Sequence, residues 1–415
     1  MADPSKRPPL MPLDEALARL LAFATPQMGT ESVSTFEADG RVLAQDVRSG
    51  LTVPPRDNSS MDGYAVRSAD CAAPGTVLRV AQRVPAGTVG APLAAGTAAR
   101  IFTGAQIPEG ADAVVMQEDT SALPDDSDLG SVRIEIAPAA GQWIRRAGED
   151  VAAGDVVLAR GERLTPAALG LAASVGLDRL QVAKRPRVTL LSTGDELVMP
   201  GEVAPEAMKP GSIYNSNRFF MRALLVRLGC EVHDLGIVPD RRDATIEALR
   251  GASERSDLII TTGGVSVGEE DHIKAAVQAL GRLDLWSLSM KPGKPFAYGR
   301  IGNAHLTGLP GNPVSSFLTF LLLVRPFLLT LQGATRVAPA PIAMRADFDW
   351  PRADRRREFL RARRNAAGGL DLFANQSSGV LTSMVWGEGV IDTPAGQPFK
   401  AGDMVQFIPF SSLLY

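Results

Sequence analysis

Val188-Thr189-Leu190-Leu191-Ser192-Thr193-Gly194-Asp195-Glu196 is the stretch that decides the fold. Its first four residues are apolar but for Thr189, as in a strand covered on both faces, and they run into a polar, Gly-containing loop. The same pattern then repeats. Residues 216–228 read as an amphipathic helix closed by Gly229, a residue suited to a helix C-terminus. Residues 232–238 read as a strand, and 244–249 as a helix behind a capping Asp243. Residues 258–261 form the next strand, and 272–280 the next helix, stopped by Gly281. A further strand at 283–288 and a long helix at 314–324 complete the series. This alternation predicts a doubly wound, largely parallel α/β sheet.

Upstream the texture differs. Residues 12–24 carry Leu13, Leu17, Leu20 and Leu21 at helical spacing, with Asp14 and Glu15 in the first turn, where the helix dipole favours negative charge. From Val33 to about Ile144, short β-rich runs alternate with Gly and Pro and read as antiparallel sheet. The acidic stretch 118–128 is expected to be an exposed loop. Thr165 caps a helix whose first residue is Pro166. After a break at 333–341, short strands and turns such as Ala367-Gly368-Gly369 indicate a small C-terminal β domain. Within it the basic run 352–364 reads as a solvated hairpin.

Composition narrows the classes. The 415 residues suggest two to four domains, and 45% are hydrophobic, enough for real cores. Lys and Arg total 43 against 46 Asp and Glu, so no global charge favours nucleic acid or an anionic membrane. Cys71 and Cys230 alone offer neither a disulfide framework nor zinc spacing, which fits a reducing cytoplasm. The N-terminus lacks a signal peptide's apolar core. The apolar stretch 317–331, interrupted by Arg325 and Pro326, is expected to be a buried helix too short to span a bilayer.

In open α/β sheets ligands bind outside the carboxyl ends of strands. There this chain places Glu196, then Asp240, then the Gly263-Gly264-Val265-Ser266-Val267-Gly268 loop with Asp271, then Lys291-Pro292-Gly293-Lys294. The Gly loop is neither a Walker A loop nor a dinucleotide fingerprint, but its N–H groups can form an anion-binding concavity. Lys291 and Lys294, held by prolines, suit an oxyanion clamp as well as a plain surface turn. In Leu309-Pro310-Gly311-Asn312-Pro313, Asn312 caps and Pro313 opens a helix. His233, His272 and His305 have no ligand spacing, which argues against zinc. Carboxylates beside anion-binding loops suit Mg²⁺ and a phosphorylated or oxyanionic substrate.

Taken in order, Asn58 to Val66, Arg100 to Ala105, Ile144 to Asp150, Ser192 to Leu197, the Gly263 loop, Lys291 to Phe296 and Leu309 to Ser315 resemble the motifs of MoeA-type molybdopterin molybdenumtransferases, the MoeA/gephyrin E-domain family. The resemblance implies an elongated N-terminal domain (1–50 and 148–182), an inserted β-rich domain (51–147), a molybdopterin-binding α/β domain (183–334) and a C-terminal β-barrel (335–415). It implies a cytoplasmic homodimer that takes adenylylated molybdopterin and molybdate to molybdenum cofactor and AMP with Mg²⁺. Transient contact with the molybdopterin adenylyltransferase and with cofactor-receiving proteins belongs to the same expectation. By motif, Asp62, Thr103, Arg145, Asp150, Glu196, Asp240 and Asp271 are the catalytic candidates, the last three also the Mg²⁺ ligands. Gly263, Gly264, Ser266, Gly268, Lys291, Lys294, Pro310, Pro313 and Ser378 are the substrate-binding candidates. Trp386-Gly387-Glu388-Gly389 departs from the family pattern near Ser378. Two other readings share parts of these motifs: a different nucleotide chemistry on the central domain, and a scaffold that binds a peptide.

Overall fold

The structure is a computed structural model and describes residues 10–25, 28–124, 128–264 and 272–414. Its central sheet has six strands in the spatial order Glu231–Val238, Arg187–Thr193, Leu258–Thr262, Ala304–Leu309, Pro295–Ile301 and Gly281–Ser287. The first four are parallel. Pro295–Ile301 is antiparallel to both neighbours, so Gly281–Ser287 again runs with the majority. The sheet is therefore largely parallel, as expected, with one reversed strand. The hairpin made by Pro295–Ile301 and Ala304–Leu309 is a finding of the structure that the sequence reading lacks. From Arg187–Thr193 the chain goes first to one edge and then to the other side, to Leu258–Thr262, so the winding reverses between these two strands.

The helices correct several details. The one expected behind Asp243 runs over Arg242–Arg255; Asp243 lies inside its first turn, and no side chain caps it. Asn312 occupies the cap position of the Pro313 helix, but its side chain makes no cap bond. That helix continues unbroken to Leu331, 19 residues in all and mostly buried. It passes Arg325-Pro326 because the preceding turn is a π-turn, in which the Arg325 N–H reaches the Phe320 carbonyl; a wider turn absorbs the missing proline donor. It is the one helix among the described residues long and apolar enough to cross a membrane, and its burial makes it a core helix. Leu13, Ala16 and Leu20 of the helix Leu13–Phe23 join its core, and Phe23 stacks on Tyr298 with ring centroids 4.5 Å apart.

Thr30–Ser34 pairs with Arg179–Ala183, and Val47–Arg48 with Val156–Leu158, so segments before and after the β-rich region share one layer. The β-rich sheet between them has the order Ala113–Met116, Gly63–Val66, Thr97–Ile101, Thr76–Val84, Ser131–Ile134, Thr120–Leu123. It is antiparallel except that Thr76–Val84 and Thr97–Ile101 are parallel. The acidic stretch is not simply a loop. Thr120–Leu123 pairs with Ser131–Ile134, and Ser121 Oγ donates to Glu135 at 2.8 Å, because uncharged residues at 120–123 can continue a ladder that the carboxylates around them would not. Residues 125–127 lie outside the described residues.

In the C-terminal sheet, Met290–Lys291 of the central domain adds a strand beside Arg357–Arg364, followed by Gly389–Thr393, Met404–Pro409 and Ile342–Arg345. The solvated-hairpin expectation for 352–364 fails here. Phe359 joins the core beneath the α/β domain while Leu360 and Ala362 join the core of their own sheet. A strand covered on both faces takes its charges inside with it, so Glu358 and Arg361 are buried and must find partners.

Candidate active site

A cleft of about 530 Å³ opens at the carboxyl ends of the central strands, large enough for a nucleotide-sized ligand. Thr193 and Glu196 line it from the loop after Arg187–Thr193, and Thr262, Gly263 and Gly264 from the end of Leu258–Thr262. These are the two strands between which the winding reverses, the place where doubly wound sheets bind ligands. Ser192 and Thr262 hydroxyls lie 3.0 Å apart across that point. Gly263 and Gly264 have φ of 93° and 65°, and a Cβ on Gly264 would come within 2.7 Å of Ile273. Only glycine allows this turn to pass so close to both neighbours.

Two helix starts complete the wall. Ser216 and Asn217 open the helix Ser216–Arg227, and Pro313 and Ser315 open the buried helix; all four line the cleft. Helix N-termini carry partial positive charge, so the wall favours an anion. Asn217 Nδ2 donates to the Gly311 carbonyl at 2.7 Å, fixing one helix start to the Pro310 loop. Asn215 caps its helix by accepting the Arg218 N–H. Sequence reading missed both asparagines, although a cap-forming Asn before a helix was visible there.

The expected site residues divide into groups. Glu196, Gly263, Gly264, Pro310 and Pro313 line the cleft. Ser378 belongs to the C-terminal domain, and its carbonyl accepts the Val314 N–H at 3.0 Å, beside the Pro313 wall. Asp240 follows Glu231–Val238, the strand next to Arg187–Thr193, but does not itself line the cleft. Ser266, Gly268 and Asp271 lie outside the described residues. Lys294 is exposed, and its neighbour Pro295 lines the cleft. Lys291 instead pairs with Glu358 at 3.1 Å and Asp354 at 3.3 Å. Burial pushes its pKa down, but the bonds and charges of those two carboxylates outweigh burial and hold it above the ordinary lysine value.

Asp62, Thr103, Arg145 and Asp150 sit in and beside the β-rich region, and none lines this cleft. Asp62 Oδ1 accepts both the Thr103 N–H and the Thr103 hydroxyl, each at 2.7 Å. That N–H, then the hydroxyl, hold the carboxyl below the usual carboxylate range, so it is anionic at neutral pH. Arg145 is exposed on Ile144–Arg145, which pairs with Asn58–Ser59. Asp150 is exposed, its N–H bonded to the Val53 carbonyl. Asp57, which sequence reading passed over, accepts from Arg146 at 2.6 Å and from the Ala147 N–H at 2.8 Å and so anchors the loop between them.

Among the described residues no three His, Cys, Asp or Glu side chains converge as a metal site. Mg²⁺ needs less: one or two carboxylates, with phosphate oxygens and water for the rest. Glu196 and Asp240 follow adjacent parallel strands, and Glu196 is the one of the two that lines the cleft.

Family models match three successive stretches: the MoeA N-terminal region (domain I and II) over residues 11–176, a probable molybdopterin binding domain over 189–330, and the MoeA C-terminal region (domain IV) over 343–410. The chain is 43% identical over 324 residues to a molybdopterin molybdenumtransferase of Haemophilus influenzae, with 78% of each covered. It is 37% identical over 381 residues to molybdopterin molybdenumtransferase 2 of Mycobacterium tuberculosis, covering 88% of this chain and 90% of that one. The solved molybdopterin biosynthesis MoeA protein of Pyrococcus horikoshii OT3 aligns with a TM-score of 0.82 at 28% identity, over 97% of this chain and 100% of that one. With all three regions matched in order and relatives this similar over most of their length, the chain belongs to the MoeA family of molybdopterin molybdenumtransferases.

Proposed function

We propose that this chain carries out the molybdenum-insertion step of molybdenum cofactor synthesis, converting adenylylated molybdopterin and molybdate into molybdenum cofactor and AMP. The observation that carries this reading is the cleft at the winding reversal, where two helix N-termini and the Gly263-Gly264 turn face Glu196. Such a wall binds phosphate or molybdate through backbone N–H groups without a dedicated cation. Lys294, exposed and next in sequence to the wall residue Pro295, would add a positive charge as negative charge develops on the departing AMP. Mg²⁺ would be held by Glu196 and Asp240, with Asp271 as a further candidate, and when bound supplies charge neutralisation at the phosphates.

The same reading makes the protein a cytoplasmic homodimer in which each cleft is completed by a second copy. Its support is that Asp62, Thr103, Arg145 and Asp150 sit in and beside the β-rich region and do not line the cleft of their own chain. Adenylylated molybdopterin arrives from the adenylyltransferase by direct transfer, and the product leaves to a cofactor-receiving protein.

The test is AMP release from adenylylated molybdopterin with Mg²⁺ and molybdate. Release that depends on molybdate, falls on chelation of Mg²⁺ and is lost in Glu196→Ala and in Asp62→Ala supports the reading. Mixing and reassembling the two inactive variants should restore about a quarter of the activity, because one site in each mixed dimer is intact. Release that ignores molybdate would point to a hydrolase on this fold, and no release to a scaffold.

A further inference from the structure

Lys291 lies on the strand Met290–Lys291, which leaves the α/β domain and pairs in parallel with Arg357–Glu358 of the C-terminal sheet. Its ammonium reaches Glu358 Oε1 at 3.1 Å. The other oxygen of Glu358 accepts the Trp350 indole N–H at 3.0 Å and the Asp354 N–H at 2.9 Å. Glu358 is buried, so every strong bond it makes is used and its geometry is fixed. Four residues beyond Lys291 the chain arrives at Pro295 in the cleft wall, and Lys294 stands just before it. The Leu288 N–H closes this loop by donating to the Lys294 carbonyl at 2.7 Å, and the Arg357 N–H donates to Ser289 at 3.1 Å. The loop that brings the wall residue Pro295 to the cleft, with the exposed Lys294 just before it, is thus fastened at its base to the C-terminal domain.

We propose that Glu358 is a positioning residue: by holding Lys291 it sets the 291–295 loop, and through that loop the C-terminal domain controls how well the cleft takes up its oxyanion substrate. Glu358 does not line the cleft. This inference rests on the reading of the cleft as an oxyanion site, and it assigns the C-terminal domain a part in that site.

Glu358→Gln keeps an acceptor for Trp350 and Asp354 but removes the nearer and more deeply buried of the two carboxylates that hold Lys291, leaving Asp354 at 3.3 Å as its one remaining anionic partner. In this variant, hydrogen exchange of the peptide covering 288–298 should quicken, with exchange in Arg187–Thr193 unchanged. The molybdate KM should rise about tenfold while kcat stays within about twofold, since displacement of a binding group weakens uptake before it alters chemistry. A merely structural lesion lowers apparent kcat at unchanged KM. In a Lys291→Met background, Glu358→Gln should add nothing to KM, because its effect runs through Lys291. Unchanged exchange in the 288–298 peptide, or KM effects that add in the double variant, overturns the inference. The exchange result is read without activity, so it stands even where wild-type AMP release fails and the proposed reaction falls.

Discussion

His305 gives this protein an acid-sensitive point in its central sheet. The residue is 2% exposed on the strand Ala304–Leu309. Its Nδ1 is 2.8 Å from the Tyr298 hydroxyl, the Phe327 ring meets it edge-on at 5.0 Å, and its Nε2 has no partner among the described residues. Burial, and secondarily the Arg300 charge, depress its pKa from 6.5 to about 4, against a smaller opposing effect of Asp257. Above pH 6.5 the native and unfolded states are both neutral at this ring, so it contributes no pH dependence. As pH falls below 6.5 the unfolded chain takes up a proton that the native state refuses until about pH 4, so stability declines through that window. At ~1.36 kcal/mol per pH unit, the decline attributable to His305 is about 2 kcal/mol at pH 5 and about 3 kcal/mol by pH 4. The perturbation is His305→Gln, which keeps a hydrogen-bonding partner for Tyr298 and cannot ionise. Urea unfolding of both proteins at pH 7.5 and pH 5, followed by fluorescence in variants that keep Trp286 of the same core as the sole tryptophan, measures the difference in slope and cancels the carboxylates common to both. Wild type should lose about 2 kcal/mol more than the variant between those pH values. Equal losses would refute the assignment of a buried neutral imidazole to this strand.

Two further outcomes follow from other contacts. Arg325 is buried and donates to the carbonyls of Leu413 at 2.7 Å and Val337 at 2.9 Å; Arg325→Met leaves both without that donor, at about 1–3 kcal/mol each, and should lower Tm by several degrees while 25 °C activity persists. An unchanged Tm would show that these bonds do not fasten the C-terminal segment. Thr103→Val removes one of the two bonds to Asp62 Oδ1 and leaves the backbone N–H. The Asp62 pKa, read by NMR titration, should then rise part of the way toward the ordinary carboxylate value, whereas Thr103→Ser should leave it in place.

The sequence by itself determined the local units of this protein. Apolar runs at 188–191 and 258–261 name strands covered on both faces, Thr165-Pro166 names a helix start whose Thr165 hydroxyl does accept the Ala168 N–H, and the polar loops after those two strands supply Glu196, Gly263 and Gly264 to the cleft wall. These succeed because propensity, capping and periodicity act within a few residues. Only the tertiary structure decided where the winding reverses, so that Glu196 and Gly263–Gly264 share one cleft while Asp62 and Thr103 lie outside it. It also decided that Lys291 answers to Glu358, 67 residues on, and that within the 352–364 run Arg357–Arg364 forms a strand buried at 358–362 where charge alone suggested a solvated hairpin. The physical reason is that a charged residue's fate depends on which distant partner meets it and how dry that meeting place is, and neither is written in the spacing of its neighbours.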